Sequence, residues 1–387
     1  MDLTYLDNAS TTAIDPEVLD AMLPFLKENY GNASSLHSFG KTAKVLLEDA
    51  RDTIAEFIGA ESREIFFTNN GTESNNFAIK GLAFNFIDSP NKHIISTSIE
   101  HSAVLDTLKF LSDKFRFNVT YVKPSVINGG IILPEDIIAG MNENTFLVAV
   151  MHSNNETGLI NDIKSISDSI KGKNIFIHTD SVQSIGKTDF NVKDLNINSA
   201  TLSAHKIYGP KGIAALYVKD GTPIEKFIHG GMQERNMRGG TENIASIAGF
   251  KKAVELIKEN YSSDIRHYME LNEYLTSKIK NIYGEGVIFN SGIRECLPNI
   301  VNISFDNNKL DYDEEMVLIM LDLKGIAVSG GSACTAGTHK PSHVLTEIGR
   351  DQKTALGSVR ISFSRYNTRE DIDKFINALD EIIKRKN

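Results

Sequence analysis

The chain has 387 residues, 41% of them hydrophobic and 24% charged, with a formal net charge of -9. That balance describes an ordinary globular protein of two-domain size, and it argues against a dedicated nucleic-acid binder, which needs a basic face to displace counterions. No apolar run is long enough to cross a bilayer, and two cysteines are too few for a disulfide framework or a cysteine-only metal site. A cytoplasmic protein without a resident metal is the default expectation.

In chain order, Asp15 and Pro16 open a helix with Val18, Met22, Phe25 and Leu26 on one face, which Pro24 should kink or shorten. "GKTAKVLLEDARDTIAEFIGA" predicts an amphipathic helix ended by Gly59. The short apolar runs "EIFFT", "HIIST", "TFLVAVM", "NIFIHT" and "GIAALYV" then alternate with helices. This pattern predicts a mainly parallel sheet buried on both faces. The helical stretch from Glu242 is expected to break near Ser262, close to a domain boundary. Beyond it, "NIVNISF", a helix around "DEEMVLIMLDLKG", the strands "IAVSG" and "SVRISFS" and a last helix from Arg369 predict a smaller α+β domain.

Ligands of an open α/β sheet bind beyond the carboxyl ends of its strands, so the residues just past each strand direct the search. Gly71 and Thr72 come after "EIFFT" at a helix start, where free N–H groups favour phosphate, although Thr72 serves equally as an ordinary cap. Asp180 ends "NIFIHTD". It suits either a helix cap or a carboxylate facing a protonated ring nitrogen. "TLSAHKIYG", with an alternating, half-buried pattern, sets Lys206 beside a strand end with Ser203 and His205. Lys206 is then a nucleophilic amine next to phosphate-anchoring groups, or one more solvated lysine. His101 could stack on a flat ring or move protons. Asn155 could donate to a phenolic oxygen or a carboxylate, and Thr241 could cap a second phosphate turn or simply a helix. Arg360, inside a strand, suits a carboxylate clamp as well as a salt bridge. Together these are the parts for pyridoxal phosphate acting on an amino acid. Cys334 sits among small residues in "SGGSACTAG", a composition of mobile, solvent-facing loops, where its sulphur has little to pack against.

"YLDNASTT", "FTNNGTESNN", "EHSAVLDT", "MHSNNETG", "HTDSVQSIGK", "SAHKIYGPKG", "RGGTEN", "SGGSACTAG" and "VRISFSRYNT" run in one order along nearly the whole chain. The sequence resembles the cysteine desulfurases of the NifS/IscS type, within the class V aminotransferases of the fold-type I pyridoxal phosphate enzymes. The resemblance implies an α/β fold with a mainly parallel seven-stranded sheet in a large domain (15–258). A smaller α+β domain (259–387) would carry the cysteine loop, and an N-terminal segment (1–14) would pack with it. It implies a sulfurtransferase that removes sulphur from L-cysteine, leaving L-alanine and a persulfide on Cys334. That persulfide would pass to an acceptor protein such as an iron–sulphur scaffold.

Carried onto matching positions, Lys206 binds the cofactor covalently, Asp180 holds its ring nitrogen protonated, and Gln183 meets its phenolic oxygen. His101 stacks on the ring; apart from the resemblance, it is the candidate for the base that activates Cys334. Gly71, Thr72, Ser203 and His205 hold the phosphate, joined by Thr241 from the second copy of a homodimer. Asn155, also beside the cofactor, and Arg360 receive the substrate carboxylate. A selenocysteine lyase or an aminotransferase would share everything except the need for Cys334. A sulphur-transfer scaffold without catalysis would not need Lys206 and Asp180.

Overall fold

The computed structural model describes residues 3–127, 129–291, 295–331 and 340–386. After a short strand β1 (Thr4–Tyr5), seven strands build the large sheet. They are β2 (Ile65–Thr68), β3 (His93–Thr97), β4 (Asn118–Val122), β5 (Thr145–Ala149), β6 (Phe176–Asp180), β7 (Ser199–Ser203) and β8 (Ala214–Val218). Their order is β2-β8-β7-β6-β5-β3-β4. Only β8 runs antiparallel to its neighbours; the remaining pairs are parallel. β2, β3, β5 and β8 are buried along their whole length, which explains why they read as continuous apolar runs rather than alternating ones. β4, the sheet edge, exposes Asn118 and Tyr121 and therefore carries no such run.

Helices connect these strands. The helix Pro16–Lys27 starts at the expected Asp15 cap and continues past Pro24 for one more turn. The helix Ser38–Ile58 buries Ala43, Leu47, Ala50, Ile54 and Ile58, and ends on Gly59 in the left-handed conformation (φ 74°), where a side chain would be strained. Two caps differ from the sequence expectation. Asn70, not Thr72, caps the helix Gly71–Phe84 by accepting from the Glu73 amide at 2.8 Å, and Asn243, not Thr241, caps the helix after that loop. A side-chain oxygen must sit two or three residues before the amide it accepts from, and these asparagines satisfy that spacing.

That second helix, Ile244–Tyr283, is unbroken over 40 residues, about 60 Å long. The expected break near Ser262 does not occur. Its first half buries Ile247, Phe250, Val254 and Ile257 against the helices and strands of the large sheet. Its second half buries Tyr268, Leu271, Leu275 and Ile279 in a separate core. The serines lie where the helix passes from one core to the other, and an exposed serine costs a helix little. The second core contains β9 (Val287–Phe289), β10 (Ile300–Phe305) and β13 (Val359–Ser362), antiparallel in the order β13-β10-β9. β11 (Leu310–Asp311) pairs with β14 (Lys384–Arg385), and β12 (Ile326–Ala327) pairs in parallel with β1. Leu6 is wholly buried in this second core.

A buried ion pair shapes the loop before Thr241. The Arg51 guanidinium donates to both Glu234 oxygens, at 2.8 and 3.0 Å, and to the Ile65 carbonyl at 2.6 Å. Glu234 Oε2 also accepts from the Phe67 amide at 2.8 Å. Glu234, Arg235 and Asn236 all have positive φ (45°, 54° and 66°), a run that non-glycine residues hold only when the surroundings over-determine it. Breaking such a pair leaves an uncompensated buried charge, so Arg51→Met is expected to lower the unfolding free energy by about 3–5 kcal/mol. Urea titration checks this; a loss near zero would show that Arg51 does not anchor the loop.

Candidate active site

The carboxyl ends of β6 and β7 meet the start of the helix Gly71–Phe84, and most of the sequence candidates converge there. Asp180 ends β6 in register with Thr201 of β7, two residues before Ser203. Its carboxylate accepts from the Val182 amide at 3.0 Å and from Asn75 Nδ2 at 2.7 Å. No helix starts after it for it to cap; it ends a buried polar chain. Asn75 Oδ1 accepts from Thr201 Oγ1 at 2.7 Å and lies 2.9 Å from His178 Nε2. His178 Nδ1 lies 2.9 Å from Ser199 Oγ. Burial holds His178 neutral, its pKa pushed down to about 3; because Asn75 turns its NH₂ to the Asp180 carboxylate, its Oδ1 faces His178 and Nε2 is the nitrogen that donates to it. A flipped amide would set Oδ1 against the acceptor-only Asp180 carboxylate, so the Asn75 NH₂ faces Asp180.

Lys206 lies in a tight turn, Ala204–Lys206, immediately after β7. The strand is buried throughout, not half-buried as its pattern suggests. The Lys206 amine donates to the carbonyls of Ala9 and Ser10, each at 2.6 Å. Two residues on, Tyr208 has φ 64°, a conformation bulky residues hold only under tertiary constraint. That constraint is visible. The Tyr208 hydroxyl lies 2.7 Å from the Tyr268 hydroxyl and accepts from the Arg365 amide at 2.9 Å, and the Arg365 guanidinium sits 4.4 Å from the ring centre. The lysine turn is thereby fastened to the second core.

The phosphate candidates meet a matching local chemistry. Ser203 is 2% exposed, and its hydroxyl is a buried polar atom with no partner among the described residues, an arrangement natural proteins rarely leave unfilled. Gly71 faces it. A Cβ there would lie 3.0 Å from Val182 Cγ2 and 3.9 Å from Ser203 Cβ, so its absence leaves room at the helix start. His205, whose Nδ1 is 3.1 Å from Thr11 Oγ1, has its pKa pushed down to about 4 by burial and then by Lys206, Lys211 and Lys187. An unpaired hydroxyl and a helix N-terminus beside Lys206 fit a phosphate dianion, and pyridoxal phosphate would bring one. Thr72 is exposed beside Gly71. Thr241 is exposed as well, on the loop held by Arg51.

The N-terminal segment, where sequence reasoning places no site residue, closes one side. Gln183 Nε2 donates to the Ala9 carbonyl at 2.8 Å, while Gln183 Oε1 is buried without a partner. Arg360 is 2% exposed. One terminal nitrogen donates to the Asn155 carbonyl at 2.7 Å, and the other to Asp7 at 2.8 Å and Ser10 Oγ at 2.6 Å. Its Nε has no partner among the described residues. Asn155 therefore meets Arg360 through its main chain. His101 caps the helix Ser102–Phe115, its Nδ1 accepting from the Ala103 amide at 3.1 Å.

Cys334 lies outside the described residues, together with the rest of the stretch 332–339 whose composition predicts a mobile loop. The two ends of that stretch are described. A Cβ on Gly331 would overlap Ser342, and the Ser342 hydroxyl donates to Glu156, next to Asn155. Ser329 pairs with Arg360 across a β-bridge. The chain thus leaves and returns beside the arginine. Asn75, Asp7 and the Ala9 and Ser10 carbonyls escape sequence reasoning. Asn75 alone carries a signal, a polar side chain at helical spacing from the buried Ala78, Ile79 and Leu82.

A lysine turn, a strand-end carboxylate and a buried unpaired serine hydroxyl at neighbouring strand ends fit the site of a pyridoxal phosphate enzyme of the class V aminotransferase kind. The sequence profile of the family described as Aminotransferase class-V matches residues 4–375, and the chain belongs to that family. Within it, the similarity is to the cysteine desulfurases of the NifS/IscS type. The cysteine desulfurase IscS of Clostridium botulinum strain Hall is 45% identical, over 99% of this chain and 94% of its own. The IscS of Dictyoglomus turgidum is 43% identical, over 98% and 94%. Among solved structures, a NifS-like protein superposes with a TM-score of 0.90 at 37% identity, covering 98% of both chains. A structure described as SspA in complex with cysteine has a TM-score of 0.81 at 36% identity, over 94% of this chain and 100% of its own.

Proposed function

We propose that this protein is a cysteine desulfurase that removes sulphur from L-cysteine, with pyridoxal phosphate held on Lys206 and Cys334 as the sulphur acceptor. The observation that carries the reading is the arrangement of Lys206, Asp180 and the unpaired Ser203 hydroxyl at neighbouring strand ends. When bound, the cofactor supplies an electron sink for the substrate carbon that loses its proton.

The chain's own residues do the rest. Lys206 takes the α-proton and returns a proton to the carbon fragment. Asp180 keeps the facing ring nitrogen protonated, and Asn75 and the Val182 amide hold its carboxylate in place. Gly71, Thr72, Ser203 and His205 bind the phosphate, Gln183 the phenolic oxygen and His101 the ring face. Arg360 receives the substrate carboxylate, beside Asn155. The Cys334 thiolate attacks the substrate sulphur; an S–S bond forms, the C–S bond breaks, and the fragment leaves as L-alanine. A thiol of ordinary pKa is only partly ionised near neutrality, so a base must take its proton, and His101 is assigned that role, its Nδ1 accepting the proton once the cap bond from the Ala103 amide opens.

The domain division into 1–14, 15–258 and 259–387 belongs to this reading. So do a homodimer in which Thr241 completes the second copy's phosphate site, a cytoplasmic location and an iron–sulphur scaffold as one acceptor. Among the described residues no helix is long and apolar enough to cross a membrane. Borohydride reduction of the protein with pyridoxal phosphate, followed by peptide mapping, tests the assignment. Label on the peptide containing Lys206 supports it, and label spread over other lysines refutes it.

A further inference from the structure

Lys187 is 6% exposed, close to the lysine turn, and has no part in the chemistry above. The turn after β6 forces it inward. Its amide donates to the Ser184 carbonyl at 3.0 Å, and Ser184 Oγ is fixed at 2.6 Å from both His152 Nδ1 and Ser153 Oγ. Gly186 before it has φ 72°, and a Cβ there would lie 2.7 Å from Ile257 Cδ1, so only glycine fits the turn against the long helix. The Lys187 amine donates to the Lys206 carbonyl at 3.1 Å and, more weakly, to the Gln183 carbonyl at 3.4 Å. Burial, and then the charge of Lys206, push its pKa down to about 7.

An amine in this position is costly for the fold, because burying a charge or an ungratified donor opposes folding. A methionine would fill similar space without that cost. What the amine adds is the link between two main-chain carbonyls, one in the turn that carries Gln183 and one at Lys206 itself. We propose that Lys187 is a positioning residue, whose amine ties the Lys206 main chain to the turn after β6 and so fixes the direction in which the Lys206 side chain reaches the cofactor. The inference rests on the reading of Lys206 as the cofactor lysine.

The test uses cofactor-free full-length protein as wild type, Lys187→Met and Lys187→Gln. Gln keeps N–H donors without the charge. Covalent attachment is followed by the borohydride-fixed fraction over time after mixing with pyridoxal phosphate. Non-covalent binding is measured with pyridoxine phosphate, which has no aldehyde. Lys187→Met is expected to slow attachment by about 10–100-fold, the size of effect a small misplacement produces, with unchanged affinity for pyridoxine phosphate. Lys187→Gln is expected to restore most of the rate.

Wild-type attachment in Lys187→Met, or equal slowing in both variants, overturns the proposal. So does a matching loss of pyridoxine phosphate affinity in Lys187→Met, which would mark a general collapse of the pocket. If Lys187→Met does not fold, Lys187→Gln decides: near-wild-type attachment supports the tie and slow attachment overturns it. Wild-type protein that attaches no cofactor at Lys206 would instead refute the reading of the site.

Discussion

Lys206→Ala is expected to lower L-alanine formation from L-cysteine by about 10²–10⁴-fold, the range a positioned acid–base group contributes. The variant loses the covalent link to the cofactor and the group that moves the α-proton, and nothing nearby replaces them. Lys187 has the right chemistry, but its amine is turned toward the main-chain carbonyls of Gln183 and Lys206. The fold should survive. Lys206 hydrogen-bonds to two carbonyls of the N-terminal segment, while that segment is also held by Gln183, Arg360 and the β1–β12 pairing. Steady-state alanine release, with circular dichroism to show folding, checks this. Turnover within a few-fold of wild type would remove Lys206 from the chemistry.

Asp180→Asn is expected to lower turnover by about 10²–10³-fold, the usual loss on removing a preorganised electrostatic partner. Asparagine matches aspartate in shape, so it would be a mild change at most positions. Here it fails for two reasons. It removes the negative charge that keeps the facing ring nitrogen protonated. It also presents an amide to Asn75, whose Oδ1 is committed to His178 and Thr201 and whose NH₂ already points at residue 180. The new side chain must turn its NH₂ either to the Val182 amide or to Asn75, and in both cases one donor faces another. The mismatch leaves a buried donor unpaired, at about 1–3 kcal/mol of stability. Cofactor absorbance, turnover and urea titration on the same preparation separate the two effects. Unchanged turnover with lowered stability would leave Asp180 a purely structural residue.

Much of this site is visible in the sequence because its residues come directly after strands. Asp180 and Ser203 end the strands β6 and β7, and Lys206 lies three positions beyond the second of them, so strand detection leads to them. Their roles come from the resemblance. The edge strand Asn118–Val122 escapes detection because half-exposed residues leave no apolar run. The long helix divides at Ser262 on sequence grounds because two stripes, each facing a different core, look like two helices when no third dimension is available.

The N-terminal wall is invisible for another reason. Ala9 and Ser10 act through main-chain carbonyls, which every residue has, and Asp7 is defined by Arg360, more than 350 positions away. Sequence pattern also does not distinguish Asn70 and Asn243 as caps from Thr72 and Thr241, since both residue types suit the role and only the local turn decides between them.

The central claim, that Cys334 accepts sulphur from L-cysteine, is tested most directly by L-alanine and sulphide release in the presence of a reductant, for wild type and Cys334→Ala side by side. Equal amounts of both products from wild type, and almost none from a variant that still binds pyridoxal phosphate, is the predicted result. Full activity in Cys334→Ala would contradict the account and point to lyase chemistry that needs no protein thiol.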